Sequence, residues 1–402
     1  MTGETMKTQL QNDTLTIFLE GRIDANNAST IEAQITEALS QNPTAANIQF
    51  DAEKLDYISS AGLRVLLKFR KQLKQSLPVL NVSGEVYDIF SVTGFTELLD
   101  VRKKLREVSV EGCELVGEGA NGKVYRLAKD EMIKVFKYGI SLDVIEAERE
   151  ASRKAFLLGV PCAIAFDTVK CGDSYGTVYE MLNAGTLSER IRSNPGRLPE
   201  LAKAAARLLR KLHAIDVPDG QMPQASRVLH DTIDKLTDFT PEEIAKFHAL
   251  YNTIPEQNHF VHNDFHPKNV MESNGELMVI DIGEAGSGNP VIDLVHTYFV
   301  MTIVGADYTD ENNIGFVGLS YREMREFWDI FIVEYCDGDT EKAAALQAQL
   351  LPFSVLMYMT TALSHPLMPQ NRHKPYVDRL HAEILSRYDE LVKVNWDKFS
   401  AR

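Results

Sequence analysis

Leu15, Ile17 and Leu19 recur at a period of two over 15–19, which predicts a strand. Over 28–39 the spacing changes. Ile31, Ile35 and Leu39 recur at helical intervals and predict a helix. Apolar runs at 48–50 and 79–82 predict two further strands, and 63–73 and 86–92 two further helices. This β-α-β-α order over the first quarter of the chain is that of a complete small α/β domain.

The texture changes near residue 110. Residues 102–111 are charge-rich and form a plausible joint. Beyond them 114–127 and 131–136 read as strands around a glycine turn, 142–158 as a helix, and the sequence from residue 200 as mostly helical. The apolar stretch 350–368 holds Pro352, His365 and Pro366 and predicts a buried helix, since a membrane span needs about 20 clean apolar residues.

With 402 residues the chain has material for two or three domains of about 150 residues each. An apolar share of 44% and a charged share of 25% exclude fibrous and wholly disordered classes. The formal charge of −15 disfavours nucleic acid and anionic lipid, so neither a nucleic-acid nor a membrane partner is expected. Cys113, Cys162, Cys171 and Cys336 show no C-x-x-C pair, which argues against a disulfide framework and for a reducing compartment. The start of the chain is polar, with no apolar run like a secretion signal, and the expected location is cytoplasmic.

In the first domain Ser59 and Ser60 stand just before an apolar-periodic helix. Two readings are open. A serine there caps the helix by accepting a backbone N–H, or it carries a phosphate at the positive end of the helix dipole, where the added charge alters the surface a partner meets. Leu19-Glu20-Gly21-Arg22-Ile23-Asp24, followed by Ile58-Ser59-Ser60-Ala61-Gly62-Leu63, resembles the STAS domain of bacterial anti-sigma-factor antagonists over residues 1–107. The resemblance implies Ser60 as phospho-acceptor and an anti-sigma-type or STAS protein as partner. Ser59 stands where that family often has aspartate.

In the second region Gly117, Gly119 and Gly122 have G-x-G-x-x-G spacing. The same spacing marks dinucleotide folds, but there it opens a helix, whereas Val124-Tyr125-Arg126-Leu127 reads as a strand. A strand–turn–strand unit suits a flap whose amides close over phosphates. Lys134 follows in a short apolar strand. It is either an edge-strand lysine facing water or a phosphate ligand held by a carboxylate of the next helix. Glu150 is the chosen partner, with Glu148 as the alternative.

Then comes His262-Asn263-Asp264-Phe265-His266-Pro267-Lys268-Asn269, and after it Val279-Ile280-Asp281-Ile282-Gly283. An aspartate, an asparagine five residues on and a second aspartate after a strand match a division of labour. The first handles the acceptor's proton, and the other two hold Mg²⁺ on the phosphates. A polar turn and a metal-hydrolase cluster through His262 and His266 are the competing readings. The other eight histidines show no H-x-H or H-x-x-x-H spacing to support the cluster.

Together these residues resemble the aminoglycoside phosphotransferase and choline kinase branch of the protein-kinase-like fold, over 113–402. The implied architecture is a small α/β STAS domain (1–107), a linker (108–112) and a bilobal α+β kinase-like domain with lobes 113–182 and 183–402. The resemblance implies Asp264 as catalytic base, Asn269 and Asp281 as Mg²⁺ ligands, and Lys134 with Glu150 on the phosphates. It further implies Gly117, Gly119, Gly122 and Val124 over the nucleotide, and backbone groups of Glu180 and Met181 on adenine. Asp293 is implied to brace the catalytic loop, and Lys268 either reaches the transferred phosphoryl group or faces solvent.

The expected activity is ATP- and Mg²⁺-dependent transfer to a hydroxyl of a small molecule or a protein serine, with GTP open as the donor. The alternative is a non-catalytic nucleotide sensor whose STAS module binds a partner. Asp231, Asp234, Glu242 and Glu243 are candidates for attracting a cationic acceptor.

Overall fold

The computed structural model describes residues 6–11, 13–73, 77–119, 121–182, 184–273, 275–304, 314–315, 317–364, 369–396 and 399. The chain divides into two compact units, Met1–Val108 and Ser109–Arg402.

In the first unit the strands β1 (Thr8–Gln11), β2 (Thr14–Ile23), β3 (Asn47–Ile58), β4 (Pro78–Val82) and β5 (Asp100–Lys103) lie side by side in chain order. The first pair is antiparallel and the others parallel. Helices α1 (Ala28–Gln41), α2 (Ser60–Leu73) and α3 (Gly84–Val92) supply the crossovers that parallel pairs require. Leu15, Ile17 and Leu19 point to one face and share a core with Phe50 and Val79, Ile35 of α1, Leu63, Leu66 and Phe69 of α2, and Phe90 of α3.

β3 is far longer than the apolar run 48–50 suggested. It follows β2 from Thr14 opposite Asn47 to Ile23 opposite Ile58, with two register irregularities on the way. Those irregularities place the buried Ala52, Leu55 and Ile58 three residues apart, which hides the period of two.

The second unit begins with β6 (Leu115–Glu118), β7 (Gly122–Arg126) and β8 (Glu131–Phe136), then α4 (Leu142–Leu157), β9 (Ala165–Cys171) and β10 (Ser174–Glu180). These strands are antiparallel in the order β9-β10-β8-β7-β6.

The chain then becomes mainly helical: α5 (Leu198–His213), α6 (Ala225–Ile233), α7 (Pro241–Tyr251), α8 (Pro290–Tyr298), α9 (Tyr321–Tyr335) and α10 (Thr340–Ser364). Between α7 and α8 run four short strands, β11 (His259–Val261), β12 (Val270–Ser273), β13 (Glu276–Val279) and β14 (Gly286–Gly288). α5 buries Leu201, Ala205, Leu208, Leu209 and Leu212 in the core they share with α9, a helical stripe readable in the sequence.

α10 is long and apolar enough to cross a membrane by length and composition alone, yet 61% of its most apolar window is buried inside the protein. Its Ser354 hydroxyl donates to the Val295 carbonyl at 2.8 Å. His365 and Pro366, within the stretch read as its continuation, lie outside the described residues.

Candidate active site

The glycine turn is a hairpin between β6 and β7, and the strand that follows it is incompatible with a dinucleotide-type helix opening. The Gly119 N–H donates to the Gly122 carbonyl at 2.9 Å, closing the turn beside Gly117. A Cβ on Gly122 would sit 2.3 Å from the Val135 carbonyl oxygen, so only glycine lets β7 lie this close on β8. Ala120, inside the turn, lies outside the described residues. Val124 stands opposite Lys134 in the ladder.

Lys134 Nζ lies 2.7 Å from Glu148 Oε1 and 3.1 Å from Asp281 Oδ1. Here the structure corrects the expected partner. Glu150 faces outward and forms an ion pair with Arg153 at 2.9 Å. The reason is helical period: Ile145, Ser152 and Ala155 are the buried residues of α4, and Glu148 shares their face while Glu150 lies roughly 200° from it. That stripe was present in the sequence. The Tyr179 hydroxyl also donates to Glu148 Oε1, at 3.4 Å. Burial would lower the Lys134 pKa, but Asp281 and Glu148 outweigh it and hold the ammonium above its usual value.

Below this pair, β11 ends at Val261 and the chain enters the loop 262–269 with Asn263 in the left-handed region (φ 60°). A single buried carboxylate fixes the turn. Asp293, on α8, accepts the His262 N–H at 2.7 Å on Oδ2 and the Asn263 N–H at 2.6 Å on Oδ1. Its Oδ2 also lies 3.0 Å from His213 Nε2, and His213 Nδ1 lies 2.8 Å from the Tyr335 hydroxyl. Burial would raise the Asp293 pKa, but His213 and His262 with these bonds pull it below the usual carboxylate range. The expected brace is therefore in place. Its extension to Tyr335, from a helix more than a hundred residues later, was not foreseen, because nothing local marks that tyrosine.

Asp264 and Asn269 are brought together: Asn269 Nδ2 donates to Asp264 Oδ2 at 2.8 Å and to the Asp264 carbonyl at 3.0 Å. Burial and the neighbouring Asp281 charge push the Asp264 pKa up to about 7, against the opposing Asn269 bond. His266 Nε2 lies 3.4 Å from Asp264 Oδ1. Burial, helped by His296 and His262, depresses His266 to about 3, so the ring is neutral.

The second aspartate is tied to the same loop. The Ile280 N–H donates to the Asn269 carbonyl at 3.0 Å, and Asp281 then adopts a left-handed conformation (φ 59°). A Cβ on Gly283 would come 3.0 Å from Glu148 Cγ, so glycine lets this turn lie against α4.

A cation fits here only if it is hard. Asn269 spends its amide hydrogens on Asp264 and keeps Oδ1 as an acceptor, and Asp281 adds a carboxylate. Two oxygens suit Mg²⁺, which retains waters and takes the rest from phosphates. Among the described residues no group of three or more His, Cys, Asp or Glu is arranged for a metal. His262 spends Nε2 on the Ile280 carbonyl and Nδ1 on the Asp264 N–H, which removes it from a hydrolase-type cluster.

At the end of β10 the Glu180 N–H donates to the Ile164 carbonyl and the Met181 N–H to the Asp130 carbonyl, each at 2.9 Å. Both amides are thus spent within the protein, and neither is left to meet a base. Three of the four acids considered for a cationic acceptor already have local partners: Asp234 with His248 at 2.9 Å, Glu242 with Lys246 at 3.1 Å, and Glu243 in a capping box with Thr240. Asp231 is exposed and Lys268 half-buried.

In the first unit α2 begins at Ser60, which is exposed. Ser59 supplies the cap: its Oγ accepts the Gly62 N–H at 3.5 Å and its carbonyl accepts the Leu63 N–H at 2.9 Å. A Cβ on Gly62 would lie 2.7 Å from side-chain atoms of both Ile23 and Ile58, so glycine seats the helix start directly on the strand ends.

A kinase-like unit with this arrangement defines a phosphate-transferring class of protein. Comparison agrees: the phosphotransferase enzyme family matches residues 112–327, and the STAS domain matches 5–108. The first match spans more than half of the chain, which thus belongs to the phosphotransferase enzyme family and carries a STAS domain ahead of it.

Over 86 residues the chain is 34% identical to a protein of Bordetella bronchiseptica named "Putative anti-sigma factor antagonist BtrV", covering 21% of this chain and 72% of that one. Among solved structures it is similar to a choline/ethanolamine kinase family protein from Mesorhizobium loti, at 16% identity and TM-score 0.43, covering 70% of this chain and 92% of that one. The ADP-bound aminoglycoside phosphotransferase APH(2'')-Ib is similar at 15% identity and TM-score 0.45, over 72% and 94% of the two chains.

Proposed function

We propose that the second unit moves the γ-phosphoryl group of ATP to an acceptor hydroxyl, with Mg²⁺, in the cytoplasm, and that the STAS unit regulates it or presents its acceptor. The observation that carries this reading is the junction at Lys134, whose ammonium touches Glu148 on one side and Asp281 on the other. Lys134 stands opposite Val124 on the strand that leaves the glycine turn, and Asp281 follows Ile280, which is bonded to Asn269 of the loop that carries Asp264.

In this reading the flap amides cover the phosphates, and Lys134 neutralises them while Glu148 fixes its direction. The carbonyls of Glu180 and Met181 accept from the exocyclic amine of adenine. Mg²⁺ held by Asn269 and Asp281 would supply charge neutralisation on the phosphates. Asp264, oriented by the Asn269 amide, accepts the proton of the incoming hydroxyl at its carboxylate.

A second reading of the acceptor rests on Ser60. Because Ser59 provides the cap, the Ser60 hydroxyl is left at the surface of the first helical turn. There a phosphate meets unpaired amides and the positive end of the helix. Ser60, or the matching serine of another STAS protein, is then the acceptor.

Incubation with labelled ATP, separately with STAS proteins and with a panel of hydroxylated amines and sugars, tests both readings. Phosphate on Ser60 that disappears in Ser60→Ala supports the protein acceptor. Turnover of a small molecule with Ser60 unmodified removes it. ATP binding without transfer to any acceptor, unchanged in Asp264→Asn, would point to the nucleotide sensor.

A further inference from the structure

α8 meets the loop 262–269 twice. Asp293 takes the amides of His262 and Asn263, just ahead of Asp264. One helical turn further on, the Thr297 hydroxyl donates to the Phe265 carbonyl at 3.0 Å, just past Asp264. Thr297 and Phe265 are each only 1% exposed, so this bond is made out of reach of solvent. The spacing suits both partners. Helix positions four apart share a face and lie about 6 Å apart along the axis. The two residues from Asn263 to Phe265 reach at most about 7 Å of chain.

The Thr297 bond differs from the one a buried helical threonine commonly makes, which turns back to the carbonyl four residues earlier. Thr302, just past α8, does so to Tyr298 at 2.7 Å, and Thr360 of α10 does so to Leu356 at 2.9 Å. Thr297 donates instead to a residue 32 positions back in the chain. Deleting its hydroxyl takes this donor from a buried carbonyl, which is costly where water cannot replace it.

We propose that Thr297 is a positioning residue for Asp264: Asp293 and Thr297 hold the chain on either side of it and together fix where its carboxylate points. The inference rests on the transfer reaction proposed above, in which Asp264 accepts the proton of the incoming hydroxyl. Thr297 acts only through the loop backbone. With the Phe265 peptide released, Asp264 keeps its charge and its 2.8 Å bond from Asn269 but loses its fixed direction. The loss then falls on the transfer step and spares nucleotide binding.

The test uses the full chain with Mg²⁺ and ATP, reading ADP release with the same acceptor panel and, separately, amide hydrogen exchange of the loop by mass spectrometry. Thr297→Val keeps the shape and deletes the donor, and Thr297→Ser keeps the donor. Thr302→Val deletes a buried hydroxyl whose bond stays within its own helix. In Thr297→Val, kcat should fall about ten- to a hundredfold with KM for ATP unchanged, and peptides covering 262–269 should exchange faster. Thr297→Ser should restore both, and Thr302→Val should keep both at wild-type level even where its Tm falls as far. Unchanged kcat and exchange in Thr297→Val overturn the proposal. So does an equal loss in Thr302→Val, or a Thr297→Ser no better than Thr297→Val. A wild-type chain that transfers no phosphate refutes the proposed function instead, and the exchange pattern alone then upholds or removes the hold of Thr297 on the loop.

Discussion

Behind the loop 262–269 the pair Asp293 and His213 is sealed from water, whereas the cluster of Lys134, Glu148 and Asp281 is only partly covered. Asp293 and His213 have no exposed side-chain area, and every polar contact they make is to the loop, to each other or to Tyr335. Lys134 and Glu148 retain 17% and 12% exposure and Asp281 retains 47%. A sealed, fully satisfied network has one geometry, because any alternative leaves a buried charge unpaired. A half-open triad of one cation and two carboxylates can exchange partners when an anion arrives. On the proposed function, the loop carrying Asp264 is thus fixed in advance, and the lysine side is free to adjust to a bound anion.

The sharpest way to break this comparison is at Asp264. Asp264→Asn should lower kcat by about 10²–10⁴-fold while nucleotide binding, read by calorimetry, is kept. Unchanged turnover would remove Asp264 from the chemistry.

Next in size is Asp293→Asn, which strips a charge from the sealed network and should cost about 3–5 kcal/mol of stability in denaturant titrations at neutral pH. The sign with pH follows from the depressed native pKa of Asp293. Its stabilisation is complete above the unfolded carboxylate value of about 3.9 and is lost as the pH falls through the lower native value. The gap between wild type and variant should therefore close in acid, and a gap that widens there would contradict the network.

A smaller effect is expected on the open side. Glu148→Gln should lower kcat by up to about a hundredfold through a misdirected Lys134, with little change in Tm. If Tm falls as far as in Asp293→Asn, the two sides are not held differently. The smallest is Glu150→Gln, which removes only a surface pair with Arg153 and should stay within about 0.5 kcal/mol in stability, with kcat unchanged. A loss in Glu150→Gln equal to that in Glu148→Gln would reverse the assignment of the lysine's partner.

Much of the first unit was legible because its signals are local. Leu15, Ile17 and Leu19 alternate, and Ser59, Ser60 and Gly62 mark a helix start within four residues. The length of β3 was not legible, since its register irregularities disturb the period on which a sequence reading depends. In the second unit the choice between Glu148 and Glu150 was available from the stripe of Ile145, Ser152 and Ala155. The occupied amides of Glu180 and Met181 depended on where Ile164 and Asp130 come to lie, which no spacing announces.

The sequence by itself determined which chemical groups are available: the glycine turn followed by a strand, the lysine in an apolar strand, and the aspartate–asparagine–aspartate order. Each of these is written within a few adjacent residues, where chain geometry alone sets distance. Only the tertiary structure decided which groups meet. Lys134 reaches Asp281 across 147 positions, and Asp293 and Tyr335 converge on His213. Contacts of that kind are fixed by how helices and sheets bury their apolar faces, and that burial brings polar groups together without any mark in the sequence around them.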